Sequence, residues 1–282
     1  MPESVNQPSQ TVPELGSPGE VLRVLQLTDT HLCQSEGGTL LGMDTDRSLQ
    51  AVIDLARRER PGVDLLLGTG DLSDNGCAEA YARLENYFEQ FGCPYHWLPG
   101  NHDSRPEMEQ TATAPDRLCG EIRTPHWQVI LLDSQIPGKV GGRLGAQELE
   151  RLDSALAQAS AAGLVSLVCL HHQPVAMGSD WIDEQMVSDA EAFWQVIDRH
   201  SSVKAVLWGH VHQECDRDRN GIRMLASPST CVQFAPGNAS FKADDLPPGY
   251  RWLDLHPDGR LETGISRVLD VSFDVDLDSG GY

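Results

Sequence analysis

Residues 21–31 read VLRVLQLTDTH, an apolar, β-branched run that ends abruptly in Asp29-Thr30-His31. An apolar run of this length with no alternation reads as a strand buried on both faces. The polar residues that stop it are all metal-ligand types. The same event recurs down the chain. Residues 63–68 (VDLLLG) lead into Thr69-Gly70-Asp71, and 95–98 (YHWL) into Pro99-Gly100-Asn101-His102-Asp103. Residues 164–170 (LVSLVCL) lead into His171-His172, and 204–208 (KAVLW) into Gly209-His210-Val211-His212. Strand carboxyl ends are where α/β proteins place their ligands.

Helical stretches fall between these strands. Residues 45–60 carry apolar side chains at Leu49, Val52, Ile53 and Ala56, with Asp44 or Thr45 as cap and Pro61-Gly62 as stop. Further helices are expected over 77–91, 146–162 and 190–200, and a further strand over 127–132. Beyond Gly209 the pattern changes to short strands at 222–226, 250–255 and 261–267, separated by turn residues such as Pro257-Asp258-Gly259. Strand–helix alternation followed by a β meander predicts an α/β sandwich in one domain over residues 21–268. Residues 1–20, rich in Pro, Ser, Gln and Glu, read as a disordered leader, and 269–282 as an acidic, Gly-rich tail crossing the surface or hanging loose.

The 282-residue chain has 42 acidic and 21 basic residues, a net charge of -21. Such a surface disfavours polyanions and anionic membranes, so neither nucleic acid nor a membrane is an expected partner. No apolar run approaches a membrane span, and residues 1–20 lack the basic and apolar regions of a signal peptide. The seven cysteines show no CxxC pairing, which reads as free thiols. These features point to the cytoplasm, while monomer and homodimer both stay open.

The spacing at the strand ends suggests shared ions. On an extended chain residues i and i+2 point the same way, so Asp29 and His31 reach one ion or adjacent ions, as do His210 and His212. Glycines before Asp71, Asn101 and His210 permit sharp turns and close approach. Carboxylate, imidazole and amide together suit Fe, Mn or Zn rather than Ca. Seven candidates exceed one tetrahedral zinc and suit two ions bridged by a carboxylate.

In that order the blocks D-x-H, G-D, G-N-H-D, H and G-H-x-H resemble the calcineurin-like metallophosphoesterase superfamily, from Val21 to about His212. A closer resemblance covers almost the whole chain: LQLTDTHL, LPGNHD, LLDSQ, LHHQPV, GHVHQE and SPSTCVQF look like the bacterial class III 3',5'-cyclic AMP phosphodiesterases. The resemblance implies a four-layer αββα architecture, a β-sandwich flanked by helices. It implies one metal on Asp29, His31 and His212, a second on Asn101, His171 and His210, and Asp71 bridging both. Iron is the expected metal, with manganese or another divalent ion as substitute. It further implies that His102 is a catalytic histidine outside the ligand set, that Asp103 orients it, and that substrate meets His31, Asp71, Asn101, His102 and His212. The implied reaction is hydrolysis of 3',5'-cyclic AMP to 5'-AMP by a metal-bridging hydroxide. The alternatives are a dimetal enzyme for 2',3'-cyclic nucleotides or other phosphate esters, and a non-enzymatic binding protein, against which the intact ligand set argues.

Plainer roles are expected elsewhere. His172 reads as core or pocket wall, and His96, His126, His200 and His256 as structural. Cys33 reads as a small hydrophobe. Arg57-Arg58-Glu59-Arg60 reads as a solvated helix end. Trp181, Trp194 and Trp208 read as core or interface, although Trp181 follows the His171 strand and can line the pocket.

Overall fold

A computed structural model describes residues 13–281. The chain runs β1 (Leu22–Leu27), β2 (Thr39–Leu40), β3 (Met43–Asp44), α1 (Thr45–Glu59), β4 (Leu65–Thr69), α2 (Ala78–Glu89) and β5 (Tyr95–Leu98). It continues through α3 (Arg105–Thr111), β6 (Glu121–Arg123), β7 (Trp127–Leu131), α4 (Gly145–Ala161), β8 (Val165–Cys169), α5 (Asp180–Asp183), α6 (Ala190–Ile197) and β9 (Val203–Trp208). The last elements are β10 (Cys215–Arg219), β11 (Ile222–Ala226), β12 (Gln233–Phe234), β13 (Ala243–Asp244), β14 (Gly249–Leu255) and β15 (Leu261–Arg267).

Two sheets carry the fold. One has the order β15-β14-β1-β4-β5, and the other β10-β11-β9-β8-β7-β6. Strands β1, β4 and β5 are parallel, as are β7, β8, β9 and β11; the remaining members are antiparallel and lie towards the edges. The period-2 geometry of the strands explains why their sequences show no polar alternation. Val24, Leu65 and Leu67 meet Val129, Leu167 and Leu207 between the sheets. Their neighbours Leu25, Leu27 and Leu66 point the other way, onto Leu49, Val52 and Ile53 of α1 and Leu84 and Phe88 of α2. On the second sheet, Ile130, Val168 and Val206 face Leu152 and Leu156 of α4 and Phe193 and Ile197 of α6. Both faces of each central strand are therefore buried, which requires apolar residues at every position. The result is the expected αββα order of layers.

Helix α1 begins where the capping signal placed it: the Asp44 carboxylate accepts from the Arg47 N–H at 2.9 Å. The carboxyl ends of β1, β4 and β5 lie side by side, with Leu27 opposite Gly68 and Thr69 opposite Leu98. Cys169 likewise stands opposite Leu207 in the second sheet.

The ends of the chain attach to this body. Of the expected leader, residues 1–12 lie outside the described residues. Pro13 and Leu15 exchange backbone hydrogen bonds with Arg123 at 2.8 Å each, and Leu15 packs on the inter-sheet core. The acidic tail crosses the surface: the Asp276 N–H donates to Leu41 O at 2.7 Å, and Phe273 and Val275 pack on apolar clusters. All seven cysteines are free. Among the described residues, no helix is long and apolar enough to cross a membrane.

Candidate metal centre

The loops that leave β1, β4, β5, β8 and β9 converge at one end of the sandwich. Their backbone departs from the extended form that the i, i+2 argument assumed. Asp29 (φ 55°), His31 (43°), Asp71 (49°), His210 (64°) and His212 (47°) all adopt the left-handed region. Side chains two apart converge because the chain coils at these points. Each such residue costs on the order of 1–2 kcal/mol, and concentration of such strain at one place marks a functional site. Cross-links between the loops hold it. The Asp29 N–H donates to Gly70 O at 3.0 Å, His31 N–H to Asp71 O at 2.9 Å, and His210 N–H to Asp29 Oδ1 at 3.0 Å.

Glycine provides the clearance. A Cβ on Gly70 would stand 2.3 Å from His171 Nδ1, and one on Gly100 would stand 2.2 Å from Asp71 Oδ1. On Gly209 it would stand 2.2 Å from Thr28 Oγ1 and 2.7 Å from Asp29 Oδ2. Only Gly70 of the three also needs a positive φ, so Gly100 and Gly209 serve close approach rather than a turn.

The seven expected ligands are brought together. His31 Nε2 lies 3.3 Å from His212 Nε2 and 3.8 Å from Asp71 Oδ2, and His212 Nε2 lies 3.4 Å from Asp29 Oδ1. On the other side, His171 Nε2 lies 3.2 Å from both Asp71 Oδ2 and Asn101 Oδ1, with the His210 ring 5.1 Å from that of His171. Asp71 stands between the two groups. His171, His210 and His212 are buried with Asp29 and Asp71, while Asn101 and His102 sit at the partly exposed mouth.

The protons decide what this cluster is for. His212 Nδ1–H donates to Val232 O at 2.7 Å and His171 Nδ1–H to Thr69 O at 2.9 Å. In the neutral rings both Nε2 atoms present lone pairs, and they point towards carboxylate and amide oxygens. His210 Nε2 is buried with no hydrogen-bond partner among the described residues. Lone pairs converging on lone pairs repel unless a cation lies between them, so the donor set fits metal ions. Burial opposes protonation of His171, yet the Asp71 charge beside it prevails and lifts its pKa to about 9. A cation bound between the two would displace that proton. Burial dominates at His210 and His31 and lowers both. For Asp29 and Asp71 burial works upward, but the neighbouring histidines outweigh it and hold both carboxyls below the usual range.

His172 is also close, its ring 4.8 Å from that of His210. Its Nδ1 accepts from Ser134 Oγ at 2.8 Å and its Nε2–H donates to Val140 O at 3.1 Å, so both nitrogens are engaged. Burial and His171 lower its pKa to about 3. It is a neutral wall, as expected.

Asp103 requires a correction. It was expected to orient His102, but its carboxylate accepts from Leu72 N at 3.1 Å, Ser73 N at 3.0 Å, Gly100 N at 2.9 Å and Tyr81 Oη at 2.9 Å. It clamps the loop after Asp71 to the loop before Asn101. Burial and Asp71 push its pKa up to about 6 against the pull of those donors. The His102 ring is held instead by Asp74, whose backbone oxygen accepts from Nδ1 at 3.0 Å and whose Oδ1 lies 4.0 Å away. Asp74 Oδ1 also faces His31 Nδ1 at 3.5 Å. Sequence reasoning passed over Asp74; its place three residues after Asp71, in the same loop, was the available signal. Burial opposes protonation of His102, but Asp71 and Asp74 outweigh it and raise its pKa.

Comparison with known proteins agrees with this geometry. Residues 22–214 match the calcineurin-like phosphoesterase family, and the chain belongs to it. Membership implies a hydrolase of phosphate esters that uses two divalent metal ions. Within the family, the chain is 47% identical over 259 residues to the 3',5'-cyclic adenosine monophosphate phosphodiesterase CpdA of Pseudomonas aeruginosa, covering 92% of this chain and 94% of that one. It is 40% identical to CpdA of Escherichia coli K12, covering 93% and 95%. A 3',5'-cyclic-nucleotide phosphodiesterase of Nostoc is 38% identical, covering 88% and 92%. In fold it is similar to a dimetal phosphatase from Danio rerio, with TM-score 0.61 at 18% identity over 88% of this chain and 99% of that one.

Proposed function

We propose that this enzyme hydrolyses 3',5'-cyclic AMP to 5'-AMP, with one metal on Asp29, His31 and His212, a second on Asn101, His171 and His210, and Asp71 shared between them. The observation that carries the metal assignment is the convergence of ring Nε2 atoms on carboxylate and amide oxygens around Asp71. The choice of substrate is supported by the match of nearly the whole chain to CpdA proteins. Mixed nitrogen and oxygen ligands accept iron, manganese and other divalent ions, and the family resemblance points to iron, with manganese as an active substitute. Residues 21–268 act as one domain in this reading, since both sheets supply loops to the site. Seven unpaired thiols agree with a cytoplasmic enzyme.

Two divalent ions supply charge that polarises a phosphoryl oxygen and activates water at neutral pH. The chain supplies the rest. Water adds to phosphorus, the bond from phosphorus to the 3' oxygen breaks, and that oxygen takes up a proton. His102 is placed to provide it: Nδ1 is committed to Asp74 O, which leaves Nε2 as the proton-carrying atom. Asn101, His31, Asp71 and His212 surround the place where the phosphate sits. The acidic exterior repels polyanions, while two divalent ions outweigh the charges of Asp29 and Asp71 and admit a monoanionic ester.

The test is metal depletion and reconstitution. Chelated protein should lose hydrolysis of 3',5'-cyclic AMP and of bis-p-nitrophenyl phosphate together. Iron or manganese should restore both, with 5'-AMP as the nucleotide product. Formation of 3'-AMP, or undiminished activity after complete chelation, would contradict the reading.

A further inference from the structure

We propose that Trp181 and Phe241 form the wall against which the purine of the substrate packs, an inference that rests on the cyclic AMP reading above. The argument starts at His212. The Phe234 ring stacks on the His212 imidazole, with centroids 4.0 Å apart and planes 5° apart. Phe234 is itself 1% exposed, so it cannot offer a face to substrate. Two further rings continue outward from it. Trp181 meets Phe234 edge-on at 5.2 Å, Phe241 meets Phe234 at 5.3 Å, and Trp181 meets Phe241 at 5.1 Å. Trp181 and Phe241 are both only partly buried. An aromatic surface thus begins one ring away from a proposed metal ligand.

That placement suits the substrate's shape. In a 3',5'-cyclic nucleotide the phosphate and the base lie on opposite sides of one ribose, so a base-binding surface belongs about a sugar's width from the metals. The surface is apolar and π-rich, which suits a flat uncharged purine and not a second phosphate.

The wall is built from two separate segments that are tied together. Trp181 lies on α5, after the strand that supplies His171, and Phe241 lies in the loop between β12 and β13. The Gly237 N–H in that loop donates to the buried Ser179 Oγ at 2.8 Å. The Asp183 carboxylate accepts from Met177 N at 2.6 Å and Gly178 N at 2.8 Å, closing the other segment on itself. The two rings are therefore presented at a fixed separation before substrate arrives.

The test compares the metal-replete wild type with Trp181→Ala and Phe241→Ala, using 3',5'-cyclic AMP as substrate and inorganic phosphate as a competitive inhibitor that lacks a base. Each variant should raise KM for cyclic AMP about tenfold, with kcat and the phosphate inhibition constant within about twofold of wild type. Trp181→Tyr should restore KM. If Trp181→Ala does not fold, Phe241→Leu makes the same comparison. An unchanged KM overturns the proposal, as does a parallel rise in KM and in the phosphate constant, which marks the rings as purely structural. A wild type that hydrolyses cyclic AMP while its variants show no such split sinks the wall alone. A wild type without that activity sinks the cyclic AMP reading and the wall with it.

Discussion

The Nδ1 atom of His102 lies 3.0 Å from the backbone oxygen of Asp74, and this contact sets the orientation of the imidazole. The proton on Nδ1 is thereby committed, and in the proposed reaction Nε2 carries the one for the leaving oxygen. His102→Ala should lower kcat by about 10²–10⁴ while both metals stay bound, because the ligand set does not include it. Metal content by elemental analysis beside steady-state kinetics checks this. Equal loss of metal and turnover would place His102 among the ligands.

Asp74 Oδ1 also faces His31 Nδ1 at 3.5 Å, which favours a proton on Nδ1 and leaves Nε2 for the metal in the proposed assignment. Asp74→Asn should weaken metal binding about 10–100-fold. Titration of manganese into the metal-free variant and wild type by calorimetry measures the ratio. Identical affinities would mean that the carboxylate has no part in holding His31.

Tyr81 donates its hydroxyl to Asp103 and accepts from Ser104 N at 2.9 Å. Burial and the Asp103 charge raise its pKa well above the usual value. Tyr81→Phe removes both bonds and should destabilise the fold by about 1–3 kcal/mol at neutral pH. The pH dependence follows from the direction of the shift. The folded wild type keeps the phenol proton that the unfolded chain releases above a pH of about 10. Wild type should therefore lose stability above that pH by about 1.4 kcal/mol per unit from this group, and the variant should not. The gap between them should shrink in urea unfolding at about pH 10.5–11 compared with about pH 7.5. A constant gap would contradict the assignment.

Gly209→Ala would set a Cβ 2.2 Å from Thr28 Oγ1 and 2.7 Å from Asp29 Oδ2, both buried. Neither atom has room to retreat, so activity and metal content should fall together. Gly138→Ala is the control: its φ is +72°, but nothing lies within 4 Å. It should cost about 1 kcal/mol in strain and leave turnover unchanged. Equal behaviour of the two variants would show that clearance at Gly209 is not what the site requires.

The sequence was most legible where turn residues bound a run sharply. Strand β5, fully buried, has the bounds expected, as do β11 and the only partly buried β15. Strand β10 was missed because its sequence, CDRDR, exposes charged side chains along a sheet edge and reads as a turn. Helix α3 was missed because it buries only Met108. Which residues cluster was legible from residue types at strand ends. Their geometry was not, since a left-handed Asp29 or His210 is a tertiary outcome that the mild enrichment of Asp and His in that region does not fix. The role given to Asp103 failed for a related reason. Adjacency to His102 in sequence said nothing about the four donors, three from neighbouring loops and one from α2, that claim its carboxylate.

The central claim is that this dimetal site serves a 3',5'-cyclic nucleotide. The most direct measurement is kcat/KM of the iron- or manganese-loaded enzyme for 3',5'-cyclic AMP, 2',3'-cyclic AMP and 5'-AMP as a phosphomonoester, under one set of conditions. The account predicts the highest value for 3',5'-cyclic AMP, with 5'-AMP accumulating as an end product. A higher value for 2',3'-cyclic AMP, or conversion of 5'-AMP to adenosine, would contradict it.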